Sequence, residues 1–421
     1  FLKGKFTIIA SYGHVRDLPQ KSLGVNVEKN FQPTYKILPG KQDTMDKIIS
    51  AIKSSTDVYI ATGYDREGEA IGWHIVSASN LDIKKIKRIV FHEITQSAIE
   101  DAIKNPRPLD LNLVDAQQSR RILDRLVGYQ ISPLLGKNVR KVLSAGRVQS
   151  VTLRLIIERE IEIKNFIPQE YWTISAQLNK NGHSFNADLT VIGDTKCYSS
   201  NVIQLFSEKY TIKSTFIKTE LEAQKIIDDI KNSEFVVSKV VRNERIKNPS
   251  PPFMTSTLQR DAVNKLGFSS YRTMSAAQKL YENGLITYMR TDSLNVSKIA
   301  QKQASDYIKK TFGKEYLPPK PRLYKTKSKS AQEAHEAIRP TDVTKTADML
   351  SIEKDEKKLY ELIYLRFIAS QMSSAIINSV TVDMKVQSVT HVEYIFHSTG
   401  SSVKFDGYLK VYRDDEKDVM L

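Results

Sequence analysis

Three short stretches carry side chains suited to chemistry. In "VYIATGYDREGEAIGWHIV", residues 58–76, Asp65 and Glu67 sit two apart, just after an apolar run and at what reads as a helix start. Carboxylate oxygens at the end of a buried strand suit a hard cation such as Mg²⁺, which is often shared with substrate phosphates. The same residues equally suit a solvated helix N-terminus. "ITYMRTDS" carries Tyr288 with Arg290 two residues on, and in a strand those side chains face the same way. A tyrosine oxygen can attack phosphorus as a covalent nucleophile, and a guanidinium can stabilise the charge that develops. Against this, most of the 19 tyrosines are expected to pack in cores. "QEAHEAIRP" sets His335 and Arg339 one helical turn apart before a proline stop, a phosphate pair or a structural histidine.

Other basic residues have two readings each. "QQSRRILDR" places Arg120 and Asp124 at i,i+4, which suits an ordinary ion pair. Alternatively Arg120, Arg121 and Arg125 contact phosphates. "LSAGRVQS" puts Gly146 and Arg147 at a helix start, where free backbone N–H groups favour phosphate. No Walker-type loop occurs, so ATP is not expected.

The elements that must hold these residues follow from composition and periodicity. The chain has 421 residues, enough for about three domains. Its formal charge of +15 points to a polyanion, nucleic acid or membrane surface. The single Cys197 excludes an internal disulfide or a zinc finger within this chain. No apolar run approaches the ~18 residues of a spanning helix, and no secretory leader is seen. The chain starts without Met, at "FLKGKFTIIASY", and ends at "YRDDEKDVML", so both ends read as cuts through a larger protein.

"FTIIASY", "DVYIAT" and "IKRIVFHEI" read as buried strands, alternating with helices in "TMDKIISAIKS" and "GEAIGWHIVSAS". Residues 112–165 read as helical, with Ser144 placed to cap the second helix. Residues 170–247 turn to β, with Asn181-Gly182 as a hairpin signal. After the "KNPSPP" linker, two helices ending at Gly267 and Gly284 precede a strand-like "LITYMRT", a winged-helix pattern. "SVTVDMKVQSV" then returns the chain to the β domain.

Together "ASYGHVRDLP", "DREGEAIGWH", "AQQSRRILDRLVGYQISPLL", "LSAGRVQSV", "PPFMTSTLQ", "LYENGLITYMRTDS" and "AQEAHEAIRP" resemble the type IA DNA topoisomerases, in their order along the chain. The full "SYGHVRDLP" is similar to the bacterial topoisomerase I branch rather than topoisomerase III or reverse gyrase. The resemblance implies a multidomain α/β, α and β fold forming part of a toroid. Its expected segments are a toprim domain at 1–109 and a helical DNA-binding segment at 110–165. The first part of a β gate arch follows at 166–247, then a winged-helix-like domain with the catalytic Tyr at 248–375. A return into the arch and Tyr domain occupies 376–421.

Roles follow residue by residue. The resemblance implies that Tyr288 links to a 5′ phosphate, that Arg290 holds the scissile phosphate and that His335 supports the site. Asp65 and Glu67 would bind Mg²⁺. His14, Arg120, Arg121, Asp124, Tyr129, Ser144, Ala145, Gly146, Arg147, Val148, Gln149 and Arg339 would contact single-stranded DNA. The expected enzyme relaxes negatively supercoiled DNA without ATP, as a monomer, in the bacterial cytoplasm at the nucleoid, with no membrane partner.

Three departures are expected to matter. Gly63 stands where the family's "DxDxE" run has its first carboxylate. The family's leading Glu-bearing strand lies before this chain, and the ring-closing domain lies after it. The alternatives are a truncated or degenerate relative that binds single-stranded DNA without full turnover, and, from another class, a toprim primase or nuclease.

Overall fold

The computed structural model describes residues 6–324 and 336–413. Helix α1 (Gln42–Lys53) buries Met45 and Ile48, three apart on one face. Strand β1 (Val58–Ile60) leads into α2 (Arg66–Ala78), which returns to β2 (Ile86–Arg88). β1 and β2 pair in parallel, so a crossover such as α2 is obligatory. Helix α3 (Gln96–Lys104) starts at Thr95, whose hydroxyl accepts the Ala98 N–H. Asp110 caps the 28-residue α4 (Leu111–Asn138) by accepting from Asn112 and Leu113. Helix α5 (Arg147–Asn165) follows, with no buried residue and with Leu153, Ile156 and Ile163 exposed.

The β-rich part begins with β3 (Ser175–Lys180) and β4 (His183–Ile192). They are joined by Asn181-Gly182, with φ of 52° and 84°, as a two-residue hairpin of primed type requires. β5 (Tyr198–Gln204) and β6 (Lys209–Thr215) form a second hairpin, then come α6 (Glu220–Ile230) and β7 (Phe235–Lys247). Helix α7 (Thr255–Leu266) stops at Gly267 in the left-handed region, φ 66°, and α8 (Ser270–Glu282) is capped by Ser269. Then come α9 (Lys298–Thr311), α10 (Lys354–Gln371), β8 (Ala375–Gln387) and β9 (Glu393–Phe405). The long antiparallel sheet runs β7-β8-β9-β4-β3, with Thr195–Lys196 paired to β4.

The chain divides into two compact units. One comprises Phe1–Arg154, Phe253–Asn295 and Lys325–Ile363. Val15, Met45, Ile48, Ile60, Ile75 and Ile86 form a core in it. The other comprises Leu155–Pro252, Val296–Tyr324 and Tyr364–Leu421. Ile174, Leu189, Ile217, Met384, Val386 and Phe396 form a core there. No described helix is long and apolar enough to cross a membrane.

Four expectations from periodicity fail. In "FTIIASY" no described residue joins a ladder, and Ile8 and Tyr12 are exposed. "LITYMRT" is not a strand: only Ile286 makes a bridge, to Pro340. Its backbone is held instead by tertiary bonds, Thr287 N–H to the Arg339 carbonyl and Tyr288 N–H to the His92 carbonyl, each 2.9 Å. The described end of "QEAHEAIRP" is extended, with Ile338 bridging Phe253, so Arg339 is on no helix. Ser144 does not cap α5, which opens at Arg147; Gly146 accepts the first helical bond, from Ser150.

Candidate active site

The loop from β1 to α2 places the first carboxylate. Asp65 is the N-cap of α2, and its Oδ1 accepts the Gly68 N–H at 2.8 Å. A side chain at 68 would collide with that loop, because a Cβ there would lie 1.9 Å from the Gly63 carbonyl oxygen. The other Asp65 oxygen, Oδ2, accepts the Tyr288 O–H at 2.7 Å. Two residues far apart in sequence and both marked for chemistry therefore meet directly.

Tyr288 is half-buried, with Tyr281 edge-on at 5.3 Å between ring centroids. Burial pushes its phenol well above the ordinary value, and the Asp65 charge and hydrogen bond add to that. Arg290 opposes the shift. It is exposed and meets no hydrogen-bond acceptor among the described residues, so its donors can meet an arriving anion. The shared strand face expected for Tyr288 and Arg290 does not exist; their nearness comes from an irregular segment. His335 lies outside the described residues.

Glu67 points to different company. Its Oε2 accepts Gln117 Nε2 at 3.0 Å and lies 3.2 Å from His14 Nε2. The His14 hydrogen bond holds the Glu67 carboxyl below its usual range; burial opposes this, and Gln117 and Arg120 assist. His14 thus sits at the acidic site. Among the described residues no cluster of three or more His, Cys, Asp or Glu could cage a metal. Asp65 and Glu67 supply hard oxygen donors but no more, and that fits a divalent cation sharing its shell with water and substrate phosphate. It does not fit a closed all-protein site.

The helical DNA-contact candidates divide sharply. Arg120 is exposed on α4. Arg121 is committed to Asp17, through Nε at 2.9 Å and a second bond from Nη2. The expected Arg120–Asp124 pair is replaced: Asp124 accepts Arg147 Nε at 2.8 Å. Arg125 is buried and donates to the carbonyls of Leu18, Pro19 and Ser22, and Tyr129 donates to the Gln20 carbonyl. These bonds anchor the end of "SYGHVRDLP" and the residues just after it; Arg125 is buried in doing so, while Tyr129 stays exposed. Ala145 N–H donates to Ser132 Oγ at 2.9 Å, while Ser144, Val148 and Gln149 are exposed beside Gly146. Arg339 is buried, and its guanidinium bonds Glu93 and Glu336 at 2.9 and 2.7 Å. Two carboxylates already pair with it.

Sequence reasoning passed over Glu69, Arg88, Gln117 and Tyr281. Glu69 was in plain view as the third carboxylate of "DREGE"; its side chain and that of Arg88 are fully buried and paired at 2.9 Å. His74, in the same helix, is buried and accepts Arg16 Nε on Nδ1 at 2.7 Å.

Comparison with known proteins places the chain in a family. A Toprim domain model matches residues 1–94. A curated DNA topoisomerase 1 from Campylobacter jejuni is 46% identical over the whole chain, which spans 58% of that relative. A full-length topoisomerase I structure from Thermotoga maritima matches all of this chain and 66% of its own, with 38% identity and a TM-score of 0.81. Since the DNA topoisomerase family model covers residues 108–420, the chain belongs to the DNA topoisomerase family.

Proposed function

We propose that the protein carrying this chain is an ATP-independent type IA DNA topoisomerase that opens one strand through a tyrosyl phosphate and reseals it. The observation that carries the reading is the 2.7 Å hydrogen bond from Tyr288 to Asp65, which joins a nucleophile to the toprim acidic run. Tyr288 Oη attacks the phosphorus of a single-strand phosphodiester. The Oη–P bond forms as the P–O3′ bond breaks, leaving a 5′-phosphotyrosine and a 3′ hydroxyl. Asp65 Oδ2 accepts the phenol O–H in a hydrogen bond and is placed to take that proton and pass it to the departing O3′, which leaves as the 3′ hydroxyl. Arg290 meets the phosphate oxygens as their charge grows. The 3′ hydroxyl then attacks the phosphotyrosine and returns the proton to Tyr288. Because the ester stores the bond energy, no nucleotide is needed.

Asp65 and Glu67 are the residues to hold a divalent cation, proposed to be Mg²⁺. When bound it would supply charge stabilisation at the phosphate and alignment of the resealing ends. His14 and Gln117 orient Glu67 for that task. Arg120, Ser144, Val148 and Gln149 are the exposed candidates for contact with single-stranded DNA. Five segments within a toroid are proposed: a toprim domain, a helical DNA-binding segment, two parts of a β gate arch and a winged-helix-like Tyr domain. So are relaxation of negatively supercoiled DNA, action as a monomer and residence at the nucleoid in the cytoplasm.

The test is an adduct assay. A labelled single-stranded oligonucleotide, with Mg²⁺, should yield a denaturant-stable protein–DNA species with the native protein and none with Tyr288→Phe. An equal adduct with Tyr288→Phe would remove Tyr288 from its role.

A further inference from the structure

Four bonds converge on one guanidinium that the cleavage chemistry does not touch. Arg88 is completely buried. Its Nε donates to Glu69 Oε1 at 2.9 Å, and its Nη1 donates to the carbonyls of Ile60 and Ile89 at 3.1 and 2.7 Å. Its Nη2 donates to the Gly63 carbonyl at 2.7 Å. Glu69 is in turn fixed by Arg107 Nη2 at 2.6 Å and by the Asp110 N–H at 3.1 Å.

Stability alone does not account for this arrangement. Well-packed apolar side chains often replace a buried ion pair with no loss of stability. What arginine alone supplies is a rigid fan of donors reaching several acceptors at once. Here the fan spans the end of β1 at Ile60 and the loop at Gly63, two residues before Asp65. The first turn of α2 then packs directly on the peptide that Arg88 holds, as the absent side chain of Gly68 requires.

We infer that Arg88, oriented by Glu69, is the positioning residue of the acidic turn, fixing the backbone at 60–63 so that Asp65 meets Tyr288 and Glu67 meets His14. The inference rests on the cleavage reading for its consequence but not for its geometry. Arg88 touches neither phosphate nor tyrosine, so it acts only through Asp65 and Glu67. Removal of such an orienting partner typically lowers metal affinity or activity about 10- to 100-fold.

The experiment uses the full-length protein with Arg88→Lys, Glu69→Gln and the double variant Glu69→Leu/Arg88→Met. Three things are measured: cooperative melting, Mn²⁺ affinity by electron paramagnetic resonance, and adduct formation. Glu67→Gln serves as the control that Mn²⁺ reports this site. Lysine cannot span three carbonyls, so Arg88→Lys should melt cooperatively yet bind Mn²⁺ at least about tenfold more weakly, with slower adduct formation. The double variant leaves no unpaired buried charge, and so separates folding from positioning should the single variants unfold. Its loss of Mn²⁺ affinity supports the inference. Any cooperatively melting variant that keeps native Mn²⁺ affinity and native adduct formation overturns it. If Tyr288→Phe still forms adduct, the cleavage reading falls, and the Mn²⁺ measurement still judges Arg88.

Discussion

Tyr288 keeps its proton and donates it in a hydrogen bond to Asp65, and burial with the Asp65 charge raises the phenol well above its ordinary value. Beside them Gly63 leaves a gap that a carboxylate can enter. A Cβ at 63 meets only Tyr288 Oη at 3.7 Å and Asp65 Oδ1 at 3.8 Å, both ordinary contacts. Gly63→Asp should therefore fold normally and reach half-maximal adduct at several-fold lower Mg²⁺. A metal titration that does not move would refute this. His74 gives a second prediction. Burial, then Arg16 and His14, push its imidazole down to about 3. Its folded pKa lies below the unfolded value of about 6.5, so the unfolded chain binds more protons between those two limits. The stabilisation is complete above about pH 6.5 and is lost as pH falls toward 3. His74→Asn should flatten the pH dependence of the urea midpoint across that window; an unchanged slope would assign the acid loss to other groups. Asp65 and Tyr288 were legible in the sequence because short motifs carry them. Glu69 and Arg88 were not, because hydropathy places two charges on the surface and says nothing of a partner 19 residues away.

At the scale of elements, glycine separates site from scaffold. Gly68→Ala forces a Cβ against the Gly63 carbonyl. It should cost about 1–3 kcal/mol, as overpacking does, and should also suppress the adduct by shifting α2 from the acidic loop. Gly182→Ala strains the β3–β4 turn, where φ is 84°. It should cost a similar 1–2 kcal/mol, roughly, for a left-handed residue, yet leave adduct formation of the folded fraction unchanged. Melting temperatures with adduct yields per folded molecule check both. The hairpin was readable because Asn-Gly encodes its own geometry. "LITYMRT" misled because its apolar, β-branched run satisfies its backbone through His92 and Arg339 instead of a ladder. "QEAHEAIRP" misled in the same way: at its described end Ile338 bridges Phe253 and Pro340 bridges Ile286, so tertiary partners outweigh local preference.

For the whole molecule, the charge of +15 sets a screening test. The logarithm of single-stranded DNA affinity should fall with log salt, by about 0.7 for each phosphate contacted. Arg120→Ala should reduce that slope by about one contact, whereas Arg125→Ala should chiefly lower the melting temperature, because Arg125 is spent on backbone carbonyls. Equal slopes for Arg120→Ala and the native protein would exclude Arg120 from the interface. The Asp65–Tyr288 bond has a further consequence, which concerns birth rather than catalysis. Its partners are 223 residues apart. At about 5–20 residues per second, a ribosome would take roughly 10–45 seconds to travel between their codons. Throughout that interval the nascent chain holds its acidic half and has no nucleophile.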